Sequence, residues 1–191
     1  CVIIGGLGAL GVLHFEFLSA RLGVERFVLV GRGVRDAALQ SVTNAMLSSP
    51  EGDDDDVEIK QCSGYAFDVD VVAADCADER QSRAVFALAR PVALVLHLGG
   101  VLHERAAIDM TRTTFIAGTE AKISGSLHAA CDAASDVFMC SSSIFGVLGQ
   151  SRLASYAASN AFQDALCAMS DRAAHRWRGS GAKRFIAVAF G

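Results

Sequence analysis

The chain opens with CVIIGGLGALG, residues 1–11, in which a short apolar run is followed by glycines in the spacing G-x-G-x-x-G (Gly6, Gly8 and Gly11). Between a strand and a helix, this spacing is typical of a turn whose backbone approaches a dinucleotide pyrophosphate. The unpaired N–H groups of the following helix would point at the phosphates. We therefore predict that residues 6–11, with Leu7 and Leu10, form a cofactor-binding loop. A merely glycine-rich turn is the alternative.

Beyond this loop, short β-rich apolar runs alternate with stretches that carry apolar residues at helical spacing. Such alternation is typical of a parallel sheet with helices on both faces. The predicted strands are 1–4, 27–31, 69–74, 92–97, 136–141 and 184–190, and the predicted helices are 10–22, 36–48, 79–89, 118–134 and 155–177. Right-handed crossovers then give a doubly wound, Rossmann-type α/β fold with its ligand crevice at the carboxyl ends of the strands.

The length of 191 residues suits one domain with a single core. The chain begins on an apolar run, Cys1 to Ile4, and stops directly after another, Phe185 to Phe190. We therefore expect residues 1–191 to be one nucleotide-binding core that is truncated at both ends.

Residues 49–68 fit the alternation poorly. They include four consecutive aspartates, Asp53 to Asp56, and a short β-like run near 57–61. Because adjacent aspartates repel one another and stay hydrated, we predict an exposed insertion loop. A calcium site is the alternative, although the run lacks the spaced ligands and the glycine of such a loop.

Composition and charge exclude several classes of protein. Apolar residues make up 52% of the chain and charged residues 20%, which indicates a globular domain. The formal net charge of −4, with no basic stripe, argues against nucleic acid as a partner. No apolar run approaches the roughly 20 residues of a membrane span. The six cysteines are scattered without metal-ligand spacing, which predicts reduced thiols, no metal site and a cytoplasmic location.

The second predicted strand leads into Gly31-Arg32-Gly33, with no carboxylate before Asp36. At this position an acidic residue binds the ribose 2′-hydroxyl, whereas an arginine accommodates a 2′-phosphate. A planar guanidinium can bind phosphate through two hydrogen bonds. Arg32 therefore predicts NADPH as the cofactor, and an ordinary surface arginine is the alternative.

The segment after the third predicted strand, Asp75-Cys76-Ala77-Asp78, suits a loop beside the adenine. We expect Asp75, with Cys76 next to it, to line this site and to accept a hydrogen bond from the adenine amino group. An aspartate here can instead cap the next helix. Because Asp78 directly precedes that predicted helix, we assign the capping role to Asp78.

Four further polar residues stand in positions that favour chemistry. Ser143 closes a serine triplet, 141–143, at the end of the fifth predicted strand, and Tyr156 follows 13 residues later. Asn160 lies one helical turn beyond Tyr156, on the same face of its helix. Lys122 lies in the helix before that strand. Each residue alone has an ordinary explanation as a turn, packing or solvated residue, and only the combination indicates a catalytic site.

The motifs together resemble a known superfamily. They are the glycine loop, HLGGVL (97–102), Ala121-Lys122, SSS (141–143), GVLGQ (146–150) and YAASN (156–160). The set is similar to the short-chain dehydrogenase/reductases, and within them to the ketoreductase domains of polyketide synthases and the related animal-type fatty acid synthases. Generic members carry lysine four residues after the tyrosine. This chain has Asn160 there and Lys122 upstream, an exchange that resembles the multienzyme ketoreductases, and the resemblance covers essentially the whole chain apart from 49–68.

The resemblance implies roles for the polar residues. Tyr156 would donate a proton to the substrate oxygen, and Ser143 would hydrogen-bond that oxygen. Lys122 would favour the proton donation and hold the nicotinamide ribose. Asn160 would orient Lys122 directly or through water.

The resemblance also implies an activity and its partners. The expected reaction is the NADPH-dependent reduction of a β-ketoacyl thioester that an acyl carrier protein domain presents, within a multienzyme whose neighbouring domains contact this one. Gly99 and Gly100 would leave room for the nicotinamide ribose. The product configuration is open, with a lean toward the Leu-Asp-Asp class from Glu104 and from the absence of tryptophan at Leu148. A generic reductase of small ketones or alcohols and a non-catalytic nucleotide-binding scaffold are the alternatives.

Overall fold

The computed structural model describes residues 1–33, 59–62, 68–173 and 184–190. The strands are β1 (Val2–Ile4), β2 (Arg26–Gly31), β3 (Ile59–Cys62), β4 (Asp68–Ala73), β5 (Val92–His97), β6 (Ser135–Ser143) and β7 (Arg184–Phe190). The α-helices are α1 (Ala9–Leu22), α2 (Glu79–Leu88), α3 (Arg112–Asp132), α4 (Phe145–Leu148) and α5 (Ala154–Ala173). A short 3₁₀ turn, Ala107–Asp109, precedes α3.

The strands form one sheet in the order β3-β4-β2-β1-β5-β6-β7. All neighbours pair in parallel except β3, which pairs antiparallel with β4 at the edge. The strand order reverses at β1, so the crevice predicted for a doubly wound sheet lies at the carboxyl ends of β1 and β5. The predicted Rossmann-type fold is confirmed.

The predicted elements differ from the structure at β3, at the start of α3 and at the short helix α4, which was not predicted. All six predicted strands are present, but residues 59–62 form β3, so the predicted insertion loop over 49–68 is wrong there. A β-like run gains its hydrogen bonds by adding to the open edge of β4. The predicted helix over 36–48 and the aspartate run lie outside the described residues, as do residues 174–177 of the last predicted helix.

Helix α3 begins at Arg112 rather than at residue 118. Its start is fixed by Thr111, whose hydroxyl accepts a hydrogen bond from the N–H of Thr114 (3.2 Å), while the Thr114 hydroxyl accepts one from the N–H of Thr111 (3.0 Å). This reciprocal cap satisfies two backbone donors that would otherwise lack partners. Residues 112–117 are exposed or half-buried, and the buried face of the helix begins at Gly118, where the predicted helix began.

Alternate side chains of the central strands pack on opposite faces of the sheet. One face places Ile3, Leu29 and Leu96 against Phe15 and other residues of α1. The second face is covered by α2, α3 and α5, and its cluster includes Val30, Phe86, Ala129 and Phe138. Burial on both faces makes these strands continuously apolar, as parallel strands require.

The core positions α1 and therefore the glycine loop. The rings of Phe15 and Phe27 meet edge-on, with centroids 4.6 Å apart, and neither side chain is exposed. Truncating such a buried phenylalanine costs about 3–5 kcal/mol of stability. Among the described residues, no helix is both long and apolar enough to cross a membrane.

Candidate active site

The glycine loop is held at the end of β1 by backbone hydrogen bonds. The N–H of Gly5 donates to the carbonyl of Val30 (2.8 Å), and the N–H of Gly8 donates to the carbonyl of Gly5 (3.0 Å). Gly5 has a φ of +80°, a conformation that glycine adopts without strain. It lies outside the G-x-G-x-x-G spacing, and sequence reasoning missed it. A Cβ at Gly11 would stand 2.4 Å from the carbonyl oxygen of Gly6, so α1 can pack on the loop only with glycine here.

The start of α1 and the end of β2 fit the phosphates of a dinucleotide. α1 has no side-chain cap and no acidic residue in its first turn, which leaves backbone N–H groups to bind an anion. Arg32 is exposed directly after β2. Leu7 packs over Gly31, where a Cβ would stand 3.0 Å from the Leu7 Cδ1, and Leu10 is about half exposed on α1.

The loop between β4 and α2 is shaped by two aspartates. Asp78 caps α2 as predicted, because its Oδ1 accepts hydrogen bonds from two helix N–H groups at 2.8 and 3.0 Å. The Oδ1 of Asp75 accepts a hydrogen bond from the N–H of Ala77 (2.9 Å), so Asp75 also holds its own turn. Burial, with Asp75 nearby, raises the pKa of the Cys76 thiol to about 12. Cys76 is therefore a neutral, buried lining residue.

The glycine loop and the end of β5 approach each other closely. A Cβ at Gly5 would stand 2.8 Å from the backbone nitrogen of Gly99. The predicted cofactor loop and the segment that follows β5 thus meet at the point where the strand order reverses. This is the position at which ligands bind in open α/β sheets.

Lys122 is buried inside the site. Its side chain passes over Gly100, where a Cβ would stand 2.9 Å from the Lys122 Cε, and the residue is 5% exposed. The ammonium donates to the carbonyl of Ser141 (2.5 Å) and to the Oε1 of Gln163 (2.8 Å). It lies 6.0 Å from the centroid of the Tyr156 ring. Gly100 therefore makes room for the lysine, where the sequence predicted room for the nicotinamide ribose.

The charge of Lys122 is tuned by its surroundings. Burial lowers the pKa of the Lys122 ammonium to about 8, and Cys140 and Asp164 oppose this shift. The ammonium is thus still mostly protonated at neutral pH. Burial and the nearby Lys122 charge lower the pKa of His97 to about 3, so His97 is neutral there and adds no second positive charge.

Ser143 and Tyr156 come to the same end of the sheet from different elements. Ser143 ends β6, is buried, and its Oγ accepts a hydrogen bond from the N–H of Phe145 (3.3 Å). This bond leaves the hydroxyl proton of Ser143 to a further acceptor. Tyr156 lies in the first turn of α5 and is partly buried. The structure therefore brings Lys122 and Tyr156 together, with Ser143 at the end of the neighbouring strand.

Asn160 is fully buried but does not contact Lys122. Its Nδ2 donates to the carbonyl of Tyr156 (2.8 Å) in its own helix, and its Oδ1 has no hydrogen-bond partner among the described residues. The structure thus shows no direct hydrogen bond between Asn160 and Lys122, which was one of the two predicted ways, direct or through water, for Asn160 to orient the lysine. Asn160 instead braces the first turn of α5, where Tyr156 stands.

Sequence reasoning missed Gln163, which occupies the place expected for Asn160. Gln163 is seven residues after Tyr156, which is two helical turns along the same face. The available signal was a second amide on the helix face that already carries Tyr156 and Asn160. Its side chain is fully buried, and the contact with Lys122 joins α3 to α5 across the site.

The protein also has a polar cleft of about 480 Å³ at its surface. It is lined by the loop after β5 and by the turn before α5, and the N–H of Arg105 joins the two by donating to the carbonyl of Arg152 (2.8 Å). Glu104 and Leu148, the positions considered for product configuration, are both exposed. In the part of the chain that the structure describes, no group of His, Cys, Asp or Glu residues could hold a metal ion.

Comparison with known proteins places this geometry in a family. The family model described as the KR domain matches residues 1–179. The chain is 34% identical over 167 residues to a highly reducing polyketide synthase of Nectria sp. and 34% identical over 177 residues to mellein synthase of Phaeosphaeria nodorum. These matches cover 86% and 87% of the chain but only 6% and 10% of those relatives.

Solved structures give the same result. A ketoreductase domain from the bacillaene assembly line superposes with a TM-score of 0.75 at 26% identity, over 99% of this chain and 43% of that one. A short-chain dehydrogenase/reductase from Brucella melitensis, at 15% identity and a TM-score of 0.74 over 97% of this chain and 73% of that one, shares the fold.

Proposed function

The chain belongs to the KR domain family, the ketoreductase domains of polyketide synthases within the short-chain dehydrogenase/reductase superfamily, and on this basis we propose its reaction. The chain reduces a β-ketoacyl thioester to the β-hydroxyacyl thioester with NADPH as the reductant. The thioester is presented by an acyl carrier protein domain, and neighbouring domains of the same multienzyme flank the chain.

One observation carries this proposal. The ammonium of Lys122 lies beside the Tyr156 ring, 6.0 Å from its centroid, and the buried Ser143 ends the strand whose Ser141 carbonyl accepts from that ammonium. A proton donor, a cation and a hydroxyl are thus gathered at the carboxyl end of β6. A domain that served only as a scaffold would have no need to bury an ammonium next to a phenol.

The residues present fit a dinucleotide. The uncapped first turn of α1 supports pyrophosphate binding, because its N–H groups are free of a side-chain cap, and the turn that Asp75 holds after β4 supports its proposed contact with the adenine. The exposed Arg32 after β2 supports NADPH over NADH, because an arginine at this position can bind the 2′-phosphate. When bound, the nicotinamide supplies the hydride for the carbonyl carbon.

The chain's own residues supply and stabilise the proton. Tyr156 donates its phenolic proton to the substrate oxygen, while the hydroxyl of Ser143 hydrogen-bonds that oxygen as negative charge develops. The ammonium of Lys122 then stabilises the tyrosinate that remains. Asn160 holds the backbone carbonyl of Tyr156 and so fixes the first turn of α5.

The test compares the wild-type protein with Tyr156→Phe. We follow the absorbance of NADPH with a β-ketoacyl thioester, and we measure NADPH binding and thermal unfolding in parallel. Because only the proton donor is removed, we expect nearly all reduction to be lost while cofactor affinity and stability stay unchanged. Equal rates in the two proteins would refute the assigned role of Tyr156.

The choice of substrate separates the proposed reaction from its alternatives. The same acyl group is offered on an acyl carrier protein and on a short thiol, beside a simple ketone without a thioester. We expect the carrier-bound substrate to have the highest kcat/KM. Preference for the simple ketone would indicate a generic reductase, and NADPH binding without any reduction would indicate a scaffold.

A further inference from the structure

A buried amide connects the lysine to a neutral part of the core. Gln163 is 0% exposed, and its Oε1 accepts from the Lys122 ammonium (2.8 Å). Its Nε2 donates to the hydroxyl of Ser126 (2.8 Å) and faces the Nδ1 of His97 at 3.3 Å. All polar atoms of the amide are therefore engaged, and its orientation is fixed because only the oxygen can accept from an ammonium.

We propose that Gln163 is a positioning residue that holds the Lys122 ammonium beside Tyr156. The inference rests on the proposed function in one respect, because the proposed function is what gives the Lys122 ammonium a role in proton transfer. Ser126 on α3 and His97 on β5 fix the amide, so the acceptor for Lys122 is set by three elements of the fold.

The remaining surroundings of the ammonium cannot replace this acceptor. The Ser141 carbonyl is the second acceptor, and the Asn160 side chain bonds to its own helix. The ionisable groups that face the ammonium are His97 on β5, Cys140 on β6, and Tyr156 and Asp164 on α5. His97 is neutral at working pH, and a hydrogen bond with Cys167 together with burial raises the pKa of the Cys140 thiol, which leaves it uncharged.

The composition of the chain allows a direct measurement. The sequence contains three lysines, at 60, 122 and 183, so a sample with ¹³C-labelled lysine gives only three side-chain signals. The signal of Lys122 is identified by its loss in Lys122→Met. In the wild-type protein we expect it to titrate with a pKa of about 8.

Two substitutions should move this titration in opposite directions. Gln163→Leu removes a hydrogen bond to the charged form, so the pKa of Lys122 should fall by about one pH unit. Gln163→Glu keeps an oxygen at the same place and adds a negative charge, so the pKa of Lys122 should rise. A general loosening of the core could not produce shifts of opposite sign.

Ser159→Ala is the matched control. Ser159 is equally buried on α5, but its hydroxyl donates to the carbonyl of Tyr156 (2.9 Å) and contacts neither Lys122 nor His97. We expect Ser159→Ala to lower the unfolding temperature without moving the Lys122 titration. In reduction assays, the alkaline limb of kcat/KM should shift with the Lys122 pKa in both Gln163 variants.

The outcomes separate this proposal from the proposed function. A Lys122 titration that is the same in folded Gln163→Leu as in the wild type, or shifts of equal sign in both variants, would overturn the positioning role. If Gln163→Leu does not fold, an unchanged or lowered pKa in Gln163→Glu overturns it instead. Absence of any reduction by the wild-type protein would contradict the proposed function, while the lysine titration would still decide the role of Gln163.

Discussion

On the cofactor side of the crevice, the loop after β1 is shaped by backbone hydrogen bonds and by glycines, whereas on the catalytic side the site is assembled from buried side chains. Gly5, Gly8 and Gly11 lie within seven residues of one another. By contrast, the contact between Lys122 and Gln163 spans 41 residues of sequence. The first side is therefore specified locally, and the second depends on how α3 and α5 pack.

This difference determines how substitutions on each side should affect the protein. A backbone loop has no room for an added atom, so steric substitutions should disturb the fold itself. A side-chain constellation can lose one group while the packing around it persists, so substitutions there should act on the chemistry more than on stability.

Gly11→Ala should have the largest effect. The added Cβ would stand 2.4 Å from the Gly6 carbonyl oxygen, so the loop must move away from α1. We expect a loss of about 3 kcal/mol or more in the free energy of unfolding, measured by urea denaturation, together with loss of NADPH binding. Gly33→Ala is the control, because no atom of the described residues lies within 4 Å of its Cβ position. Equal free energies of unfolding for Gly11→Ala and Gly33→Ala would contradict the conclusion that steric contacts require glycine in the loop.

In contrast to Gly11→Ala, Lys122→Met should lower the rate of reduction much more than the stability. The substitution keeps an apolar stem of similar shape and removes the ammonium, so we expect the rate of reduction to fall by about 100-fold or more. Leaving the Gln163 oxygen without its donor costs stability, but the chain no longer buries a charge, so the net change in unfolding temperature should be small. A collapse of stability with proportionate loss of cofactor binding would mean that Lys122 is structural.

The locally specified features were the ones that the sequence could predict. Each of the six parallel strands follows from its own apolar run, and the cap formed by Asp78 follows from its place before a helix. The glycine loop was predicted from spacing alone. The start of α3 was missed because residues 112–117 are exposed or half-buried and do not form part of the buried face that an apolar pattern detects.

The features that depend on packing could not be predicted from local pattern. Strand β3 forms because the edge of β4 is open to pairing, which is a property of the assembled sheet. The partner of Lys122 is Gln163 rather than Asn160 because of the rotation of α5 against α3, and both residues lie on the same face in sequence terms. The family resemblance rests on a motif that includes Asn160 but not Gln163, and it therefore gave no indication of Gln163.

Arg32→Ala tests whether the cofactor side also relies on a side chain. Arg32 is exposed, so its removal should leave the unfolding temperature unchanged. We expect the KM for NADPH to rise by about 10-fold, since hydrogen bonds to a charged group are lost. The KM for NADH, which carries no 2′-phosphate, should stay the same. A parallel rise for both cofactors would show that Arg32 does not read the 2′-phosphate.

Asp78→Ala should have the smallest effect, and it tests the local side of the comparison without touching the loop glycines. The change removes the acceptor for two N–H groups of α2, so we expect the free energy of unfolding to fall by about 1 kcal/mol. Asp78→Asn is the matched control, because its amide oxygen can still cap the helix. Since neither cap hydrogen bond involves Lys122 or Tyr156, the pH dependence of reduction should be unchanged in both variants. A shift in that pH dependence would show that the cofactor side and the catalytic side of the crevice are coupled through α2.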